Sequence, residues 1–507
     1  MRHVFGFTFA RRGAPLSALA CLVLSGGCAV GPDYARPAES LPQAYTAKPW
    51  VATVGVAGTR VGEAQELVSG LDIPAQWWQL FHSQPLNDLV AESLKNNPNV
   101  ASAQAALRGA LLGVKAQQGA YFPSVDASLT STRQMVANTL ASPAASAAPY
   151  YNLHTAQVTV SYTPDVFGSN QRQVESLLAQ AESQRFQLEA TYLTLTSNVV
   201  NAAIQEAALR GQLRATQEVI ALQRKALTMF QRQYQLGQVS TADLAVQETA
   251  LALSEATLPP LQKQLAQQRN ALNALAGRFA NQELDASFDL DGLQLPVNLP
   301  LTVPSTLVEH RPDVRAAEEQ LHAASAQIGV AVANRLPNFT LGVNAWGSAA
   351  YSLMDLFKAG TAFWNLAAGV AQPVFHGGTL KARQDMAQAA YEQAAAQYRL
   401  TVITAFQNVA DALQALKFDA DALNASSKAE RAADRSLSIA RRQLALGDIS
   451  PLTLLTTEQA YQQAKLALVQ AQANRLADTV ALFQALGGGW WNRSGTVPTE
   501  LAAKTSD

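Results

Sequence analysis

The feature that most constrains this chain is that it repeats itself, because a duplicated sequence folds as two copies of one unit. Leu236-Gly237-Gln238-Val239-Ser240 returns 210 residues later as Leu446-Gly447-Asp448-Ile449-Ser450. Downstream, Glu248 and Ala250 answer Glu458 and Ala460. Upstream, Phe122-Pro123 answers Leu336-Pro337, and Phe167-Gly168 answers the neighbourhood of Phe375-His376-Gly377. At the far ends Ala274-Leu275-Ala276-Gly277 answers Ala485-Leu486-Gly487-Gly488. Matches that keep their order at a nearly constant offset identify a tandem duplication.

Each copy holds two segments of alternating polarity. Val125, Ala127 and Leu129 alternate with Asp126, Ser128 and Thr130, and Ala156, Val158, Val160 and Tyr162 with Thr155, Gln157, Thr159 and Ser161. In the second copy Phe339, Leu341, Val343 and Ala345 stand against Asn338, Thr340, Gly342 and Asn344. Trp364, Leu366, Ala368 and Val370 stand against Asn365, Ala367, Gly369 and Ala371. Period two is the mark of strands with one apolar face. It predicts strands at about 124–134, 153–164, 338–347 and 363–374, with Ala137 to Ala148 and Gly347 to Thr361 as hairpin loops.

After each strand pair the pattern turns helical. Between Gly168 and Leu236 there is no proline and only Gly211, and Leu380 to Leu446 has neither residue. The spacing predicts helices over 168–236 and 379–446, each about 100 Å long. Phe406, Val409, Leu413, Leu416 and Ala420 fall at three- and four-residue steps. Each helix turns at its Leu-Gly-x-x-Ser element, and a partner returns over 240–277 or 451–486. Ser240 and Ser450 take the N-cap places and Pro451 the first turn. Pro259-Pro260 is expected to break or kink the first return. Shorter helices, about Gln84 to Gly119 and Pro304 to Asn334, precede the strands. The organisation is therefore repeat 1 at 84–277 and repeat 2 at 304–488. Residues 28–83 and 278–303 form an equatorial belt and linker, and 489–507 a C-terminal tail.

The first 27 residues form an export signal. Arg2, Arg11 and Arg12 make a positive start, and Ala14 to Leu24 an apolar stretch too short to span a bilayer. Leu24-Ser25-Gly26-Gly27-Cys28 runs small residues into a cysteine in the manner of a bacterial lipobox, which makes Cys28 the lipidated first residue of the mature chain. Ala29 after it favours the outer membrane. Cys21 and Cys28 are the only cysteines, so the mature chain cannot form an internal disulfide.

Composition narrows the function. A formal net charge of −1 with 15% charged residues gives no basic field for nucleic acid. No later run is apolar enough for a transmembrane helix, so any span is made of strands and lies in the outer membrane. Four strands cannot close a barrel, but three chains supply twelve. Catalytic readings fail: Glu319 and His322 make one Glu-x-x-His where a di-iron bundle needs two. The six histidines lack zinc spacing, and Gly487 to Gly489 follows a helix, not a strand. The expectation is a non-enzyme with no metal and no cofactor.

Cys28-Ala29-Val30-Gly31-Pro32-Asp33-Tyr34 with Pro37 resembles the lipidated start of the outer membrane factors of tripartite efflux systems, the TolC-like, OprM/NodT-type outer-membrane lipoproteins. Trp77-Trp78-Gln79-Leu80-Phe81 with Leu86, Leu89 and Asn97-Pro98 is similar to that family's N-terminal signature, and His310-Arg311-Pro312-Asp313-Val314 to its central one. Phe406 to Leu413 and Leu486-Gly487-Gly488-Gly489-Trp490 resemble two more. The likeness covers essentially the whole mature chain. It implies a mostly α fold with a membrane β part: a homotrimer whose twelve-stranded outer-membrane barrel continues as a long periplasmic α-helical barrel. It further implies a passive exit duct for drugs or other small toxic compounds. Its implied partners are a periplasmic adaptor, an inner-membrane transporter of the resistance-nodulation-division type and outer-membrane lipid.

In that family the helix turns form the periplasmic tip, which is both docking surface and gate. The resemblance places the adaptor-docking motif on Leu236, Gly237, Ser240, Leu446, Gly447 and Ser450, and the gate on Asp243, Leu452, Thr453, Thr456 and Asp448. Asp243 matches an acidic latch residue and Leu452 a constricting leucine. The family's acidic rings fall on Thr453 and Thr456, leaving Asp448 as the candidate for the remaining ring. Its tyrosine and arginine latch partners fall on Leu444 and Ile449, so Arg441 and Arg442 are the substitute partners expected for Asp243. The competing reading is a lipid-anchored periplasmic coiled-coil scaffold or adaptor without a pore.

Overall fold

The computed structural model describes residues 29–37, 42–137, 139, 149–282 and 284–493. Cys28 and the export signal lie outside the described residues, as do most of the first hairpin loop and the tail from 494.

In chain order the elements are β1 (Glu66–Ser69), α1 (Gln84–Asn96), α2 (Pro98–Gln118), β2 (Ser124–Met135), β3 (Tyr150–Tyr162), α3 (Ser169–Gln235), α4 (Thr241–Ala256) and α5 (Leu258–Leu275). There follow β4 (Asn298–Leu301), α6 (Pro304–His310), α7 (Pro312–Ala333), β5 (Asn338–Ala350), β6 (Ala362–Ala371), α8 (Thr379–Leu446) and α9 (Pro451–Ala485). Among the described residues no helix is long and apolar enough to cross a membrane.

The chain forms two compact units. One comprises Arg108–Ser183, Ala317–Gln397 and the described residues before Ala38. It contains one antiparallel sheet in the order β2-β3-β5-β6. The other comprises Ala38–Leu107, Gln184–Ala316 and the described residues from Tyr398 onward. It holds both helix turns and the parallel pair β1-β4, which alternation alone does not single out.

The structure corrects several boundaries, and proline explains two of them. Each helix preceding the strands is two helices, broken at Asn97-Pro98 and at Arg311-Pro312. A proline ring pushes the residue before it out of the α region, and Asn97 (φ −68°, ψ 125°) and Arg311 (φ −76°, ψ 123°) adopt nearly the same extended backbone. Both side chains then hold the carbonyl end of their own copy's return helix. Asn97 Nδ2 donates to Leu275 O (2.8 Å), and buried Arg311 donates through Nη1 to Ala485 O (3.0 Å). Leu275 and Ala485 stand 210 residues apart, so this job is duplicated with the fold.

Glycine caps sharpen the alignment of the copies. All four helix ends that close the hairpins finish in the paired hydrogen bonds of a Schellman turn: Gln238 to Gln233 and Gly237 to Tyr234, Asp448 to Gln443 and Gly447 to Leu444. Arg278 to Asn273 and Gly277 to Ala274, and Gly488 to Phe483 and Gly487 to Gln484, complete the set. Gly277 therefore answers Gly487, one residue earlier than the match of letters to Gly488. The first return helix breaks at Thr257, and Pro259 and Pro260 fall inside the first turn of α5, where missing N–H groups go unnoticed.

The long α8 buries a regular seam: Val402, Ala405, Val409, Ala412 and Leu416 lie at alternating steps of three and four, and Leu423 follows seven residues on. That 3.5-residue period is the pattern of supercoiled helices.

Candidate functional site

The two helix turns are built alike and capped differently. Gly237 and Gly447 both sit in the left-handed region (φ +72° and +82°), which a Cβ would disfavour. Ser240 then opens α4 as a full capping box. Its Oγ accepts from Asp243 N (3.1 Å), and Asp243 Oδ2 accepts from Ser240 N (3.2 Å) and Oγ (2.7 Å). These hydrogen bonds, first of all that from the Ser240 side chain, hold the Asp243 carboxyl below the usual carboxylate range. In the second turn Ser450 Oγ accepts from Thr453 N (3.3 Å), and Thr453 Oγ1 lies 3.0 Å from Ser450 Oγ. The carboxylate half of the box is replaced by a hydroxyl. Asp448, Leu452, Thr453 and Thr456 are exposed, as are Leu236, Leu446, Ser240 and Ser450.

Of the two arginines set against Asp243, the structure places Arg441 at Glu458, Nη2 to Oε1 3.8 Å, and leaves Arg442 exposed. Glu458 is 3% exposed, and burial pushes its carboxyl up while Arg441 pulls it down. Leu444 and Ile449, at the places of the family's latch partners, pack against Leu437, Ala440 and Leu454 inside their own hairpin. The second turn thus encloses an apolar cluster and a recessed ion pair within its own hairpin. Sequence reading used Glu458 only as a repeat marker. Its partnership was legible in principle, since residues flanking a helical turn on both sides come face to face.

The sheet of the other unit has two chemically distinct faces. The register pairs Val125 with Val160, Ala127 with Val158 and Leu129 with Ala156 on one face. Phe339 with Val370, Leu341 with Ala368 and Val343 with Leu366 continue it. The opposite face carries Asp126, Ser128, Gln157 and Thr159, where Thr159 Oγ1 donates to Asn344 Oδ1 (2.7 Å). Simple alternation fails at one point. A bulge between Asn344 and Gly347 sets two residues of β5 against one of β6, and Trp346 joins Val158 on the apolar face. On the other face Gly347 is overlain by Phe363, whose ring a Cβ at 347 would meet at 2.5 Å.

His322 is a structural pin. Its ring stacks on Tyr34 (4.4 Å, 18°), with Nε2 3.0 Å from Glu175 and Nδ1 3.5 Å from Glu319. The Glu319 hydrogen bond leads the factors raising its pKa. Beside it, recessed Arg172 donates to Val30 O (3.2 Å), Asp33 (2.7 Å) and Glu175 (2.8 Å). These residues strap 29–37 onto α3 and α7.

The family described as outer membrane efflux protein matches residues 89–278 and 303–488. The chain is 30% identical over 443 residues (86% of this chain, 93% of the relative) to the pyoverdine export outer membrane protein OpmQ of Pseudomonas putida. It is 28% identical over 491 residues (97% and 98%) to the antibiotic efflux pump outer membrane protein ArpC of Pseudomonas putida. The fold is similar to that of the Campylobacter jejuni CmeC outer membrane channel, with a TM-score of 0.81 at 22% identity over 94% of this chain and 98% of that one.

Proposed function

Because this chain belongs to the outer membrane efflux protein family, an outer-membrane protein that extends into the periplasm, we propose that it works as the passive exit duct of a tripartite pump. Three copies join their four-stranded sheets into a twelve-stranded barrel, apolar face to lipid and polar face to the lumen. Their helical hairpins continue it into the periplasm. A periplasmic adaptor docks on Leu236, Gly237, Ser240, Leu446, Gly447 and Ser450, and an inner-membrane transporter of the resistance-nodulation-division type supplies the energy. The duct itself performs no chemistry and passes drugs or other small toxic compounds, the class that the names of its relatives suggest. Cys28 carries the lipid anchor.

The observation that carries this reading is the two-faced sheet, because a scaffold without a pore has no use for an apolar wall backed by a polar one. Purified protein reconstituted in a planar bilayer is expected to give discrete conductance steps. A preparation that inserts and never conducts would overturn the duct.

At the gate, Asp243 acts as the latch of the first turn, with Arg441 or Arg442 of a neighbouring copy as partner. Thr453 and Thr456 stand where the family has acidic rings, Asp448 supplies the remaining ring, and Leu452 is the constricting residue. Arg441 is engaged with Glu458 inside its own chain, so freely exposed Arg442 is the better-placed partner.

A further inference from the structure

We infer that the connection between β5 and β6, residues 351–361, is a lipid-dipping flap that folds over the outer wall of the sheet and seats its apolar side chains at the boundary of the outer leaflet. This rests on the reading of the apolar sheet face as membrane wall. It adds a second, non-strand element to the contact with lipid.

Three observations converge on it. First, the connection joins the ends of β5 and β6 opposite the ends that lead from α7 and into α8. It therefore lies at the far rim of the sheet, where a barrel wall leaves the hydrocarbon.

Second, the segment turns onto the apolar face. Ser348 pairs with Ala156 and Ala362, which fixes it on that face. Its Oγ donates to Leu356 O, and Thr361 Oγ1 reaches the same carbonyl (3.1 Å) and Lys358 O (2.8 Å). Leu356 is buried beneath the turn, and the Phe357 ring lies parallel to that of Trp346 (6.4 Å, 14°). The bulge that sends Trp346 to the apolar face thus supplies the platform for the flap.

Third, the flap's other side is apolar and open. Leu353, Met354 and Phe357 are 52%, 86% and 82% exposed, and Lys358 pairs with Asp355 (2.5 Å) beside them. On the neighbouring strands the same face changes character at this height. Leu129·Ala156 is followed by Ser131·His154 and Arg133·Asn152, with Ser131 Oγ 2.7 Å from His154 Nδ1. An apolar cluster continuous with the wall, at the level where polar side chains begin, suits the boundary between acyl chains and headgroups. Left in water it would be an unusual exposed patch.

The only native cysteines are Cys21 and Cys28, so single probes are easily added to the full chain. Met354→Cys and Phe357→Cys, with Leu129→Cys and Val370→Cys as wall references, are labelled with a polarity-sensitive fluorophore in proteoliposomes. Unsubstituted protein corrects for label at residue 28. The expected result is loss of fluorescence at 354 and 357 with lipids spin-labelled high on the acyl chain, and protection from aqueous iodide. Quenching by iodide at 354 and 357, with lipid quenching retained at 129 and 370, overturns the flap and leaves the wall intact. Crosslinking of 357 to a second protein copy overturns it in favour of a protein contact. Iodide quenching at all four positions removes the wall itself. If a flap variant does not insert, Leu353→Cys repeats the test.

Discussion

Asp419 stands where the seam of α8 calls for an apolar side chain. Continuing the alternating steps from Ala412 and Leu416 puts it, half-buried, in the next place of the seam before Leu423. Burial first, then the hydrogen bond and charge of Asp478, push its carboxyl up to about 7, against the pull of Arg475. The unfolded chain releases this proton near pH 4. The folded state therefore holds a proton that the unfolded state has lost, and stability falls as pH rises from about 4 to about 7. Asp419→Asn should flatten that decline and raise the melting temperature at pH 8 more than at pH 5, as followed by circular dichroism. An equal shift at both pH values would remove the carboxyl pair as its cause. At the first turn, Asp243 caps its own helix, so two roles need separating. Loss of the cap in Ser240→Ala should destabilise by about 1 kcal/mol. Only Asp243→Ala should also raise closed-state conductance; equal conductance in both variants would reduce Asp243 to a cap. The motif positions were legible as residue types at fixed distances from a glycine. The partner of Asp419 was not, because it depends on how two helices are phased far from any turn.

At the scale of elements, the sequence spoke most clearly where one period ran unbroken. Alternation placed all four long strands, and the absence of glycine and proline marked α3 and α8. It spoke least where a single residue changes phase. The bulge at Ala345-Trp346 reverses which side chains of β5 face which way, and no letter marks it except the nearby Gly347. Gly347→Val should push Phe363 aside and lower the thermal stability of the folded sheet, and Phe363→Ala in the same chain should restore part of it. Stability unchanged by Gly347→Val would mean that the strand can shed the bulge. The helix breaks at Pro98 and Pro312 were written in the prolines, but the work of the residue before each was not. Removing Arg311 leaves the buried end of α9 without its donor, which costs about 1–3 kcal/mol for each group left unpaired. Arg311→Ala should therefore destabilise more than Asn97→Ala in urea melts, since Arg311 also binds Asp313 and Ala405 O.

For the whole molecule, the decisive fact is the arithmetic of sheet edges. Among the described residues, the order β2-β3-β5-β6 leaves the outer edges of β2 and β6 without a strand. Unpaired backbone groups are intolerable in hydrocarbon, so a sheet of this kind enters a membrane only when its edges find each other. Four strands are too few to close on themselves, and repetition of the chain is the remaining route. Copies that join β2 of one to β6 of the next form a closed ring, which requires the same heterologous contact at every boundary. On the function proposed above, three such copies close the duct. The expected outcome is a species of three mature chains, each lighter than the 54.0 kDa of the full sequence by its export signal, that resists dodecyl sulfate until heated and then migrates as the single chain. Cysteine pairs placed along the facing edges of β2 and β6 should link neighbouring copies into a ladder ending at three. A ladder ending at two, or a monomer that conducts, would overturn closure by repetition. Proline placed at a site of β6 whose N–H faces away from β5 removes an edge donor and should abolish the heat-resistant species while leaving the helical signal of the monomer in place.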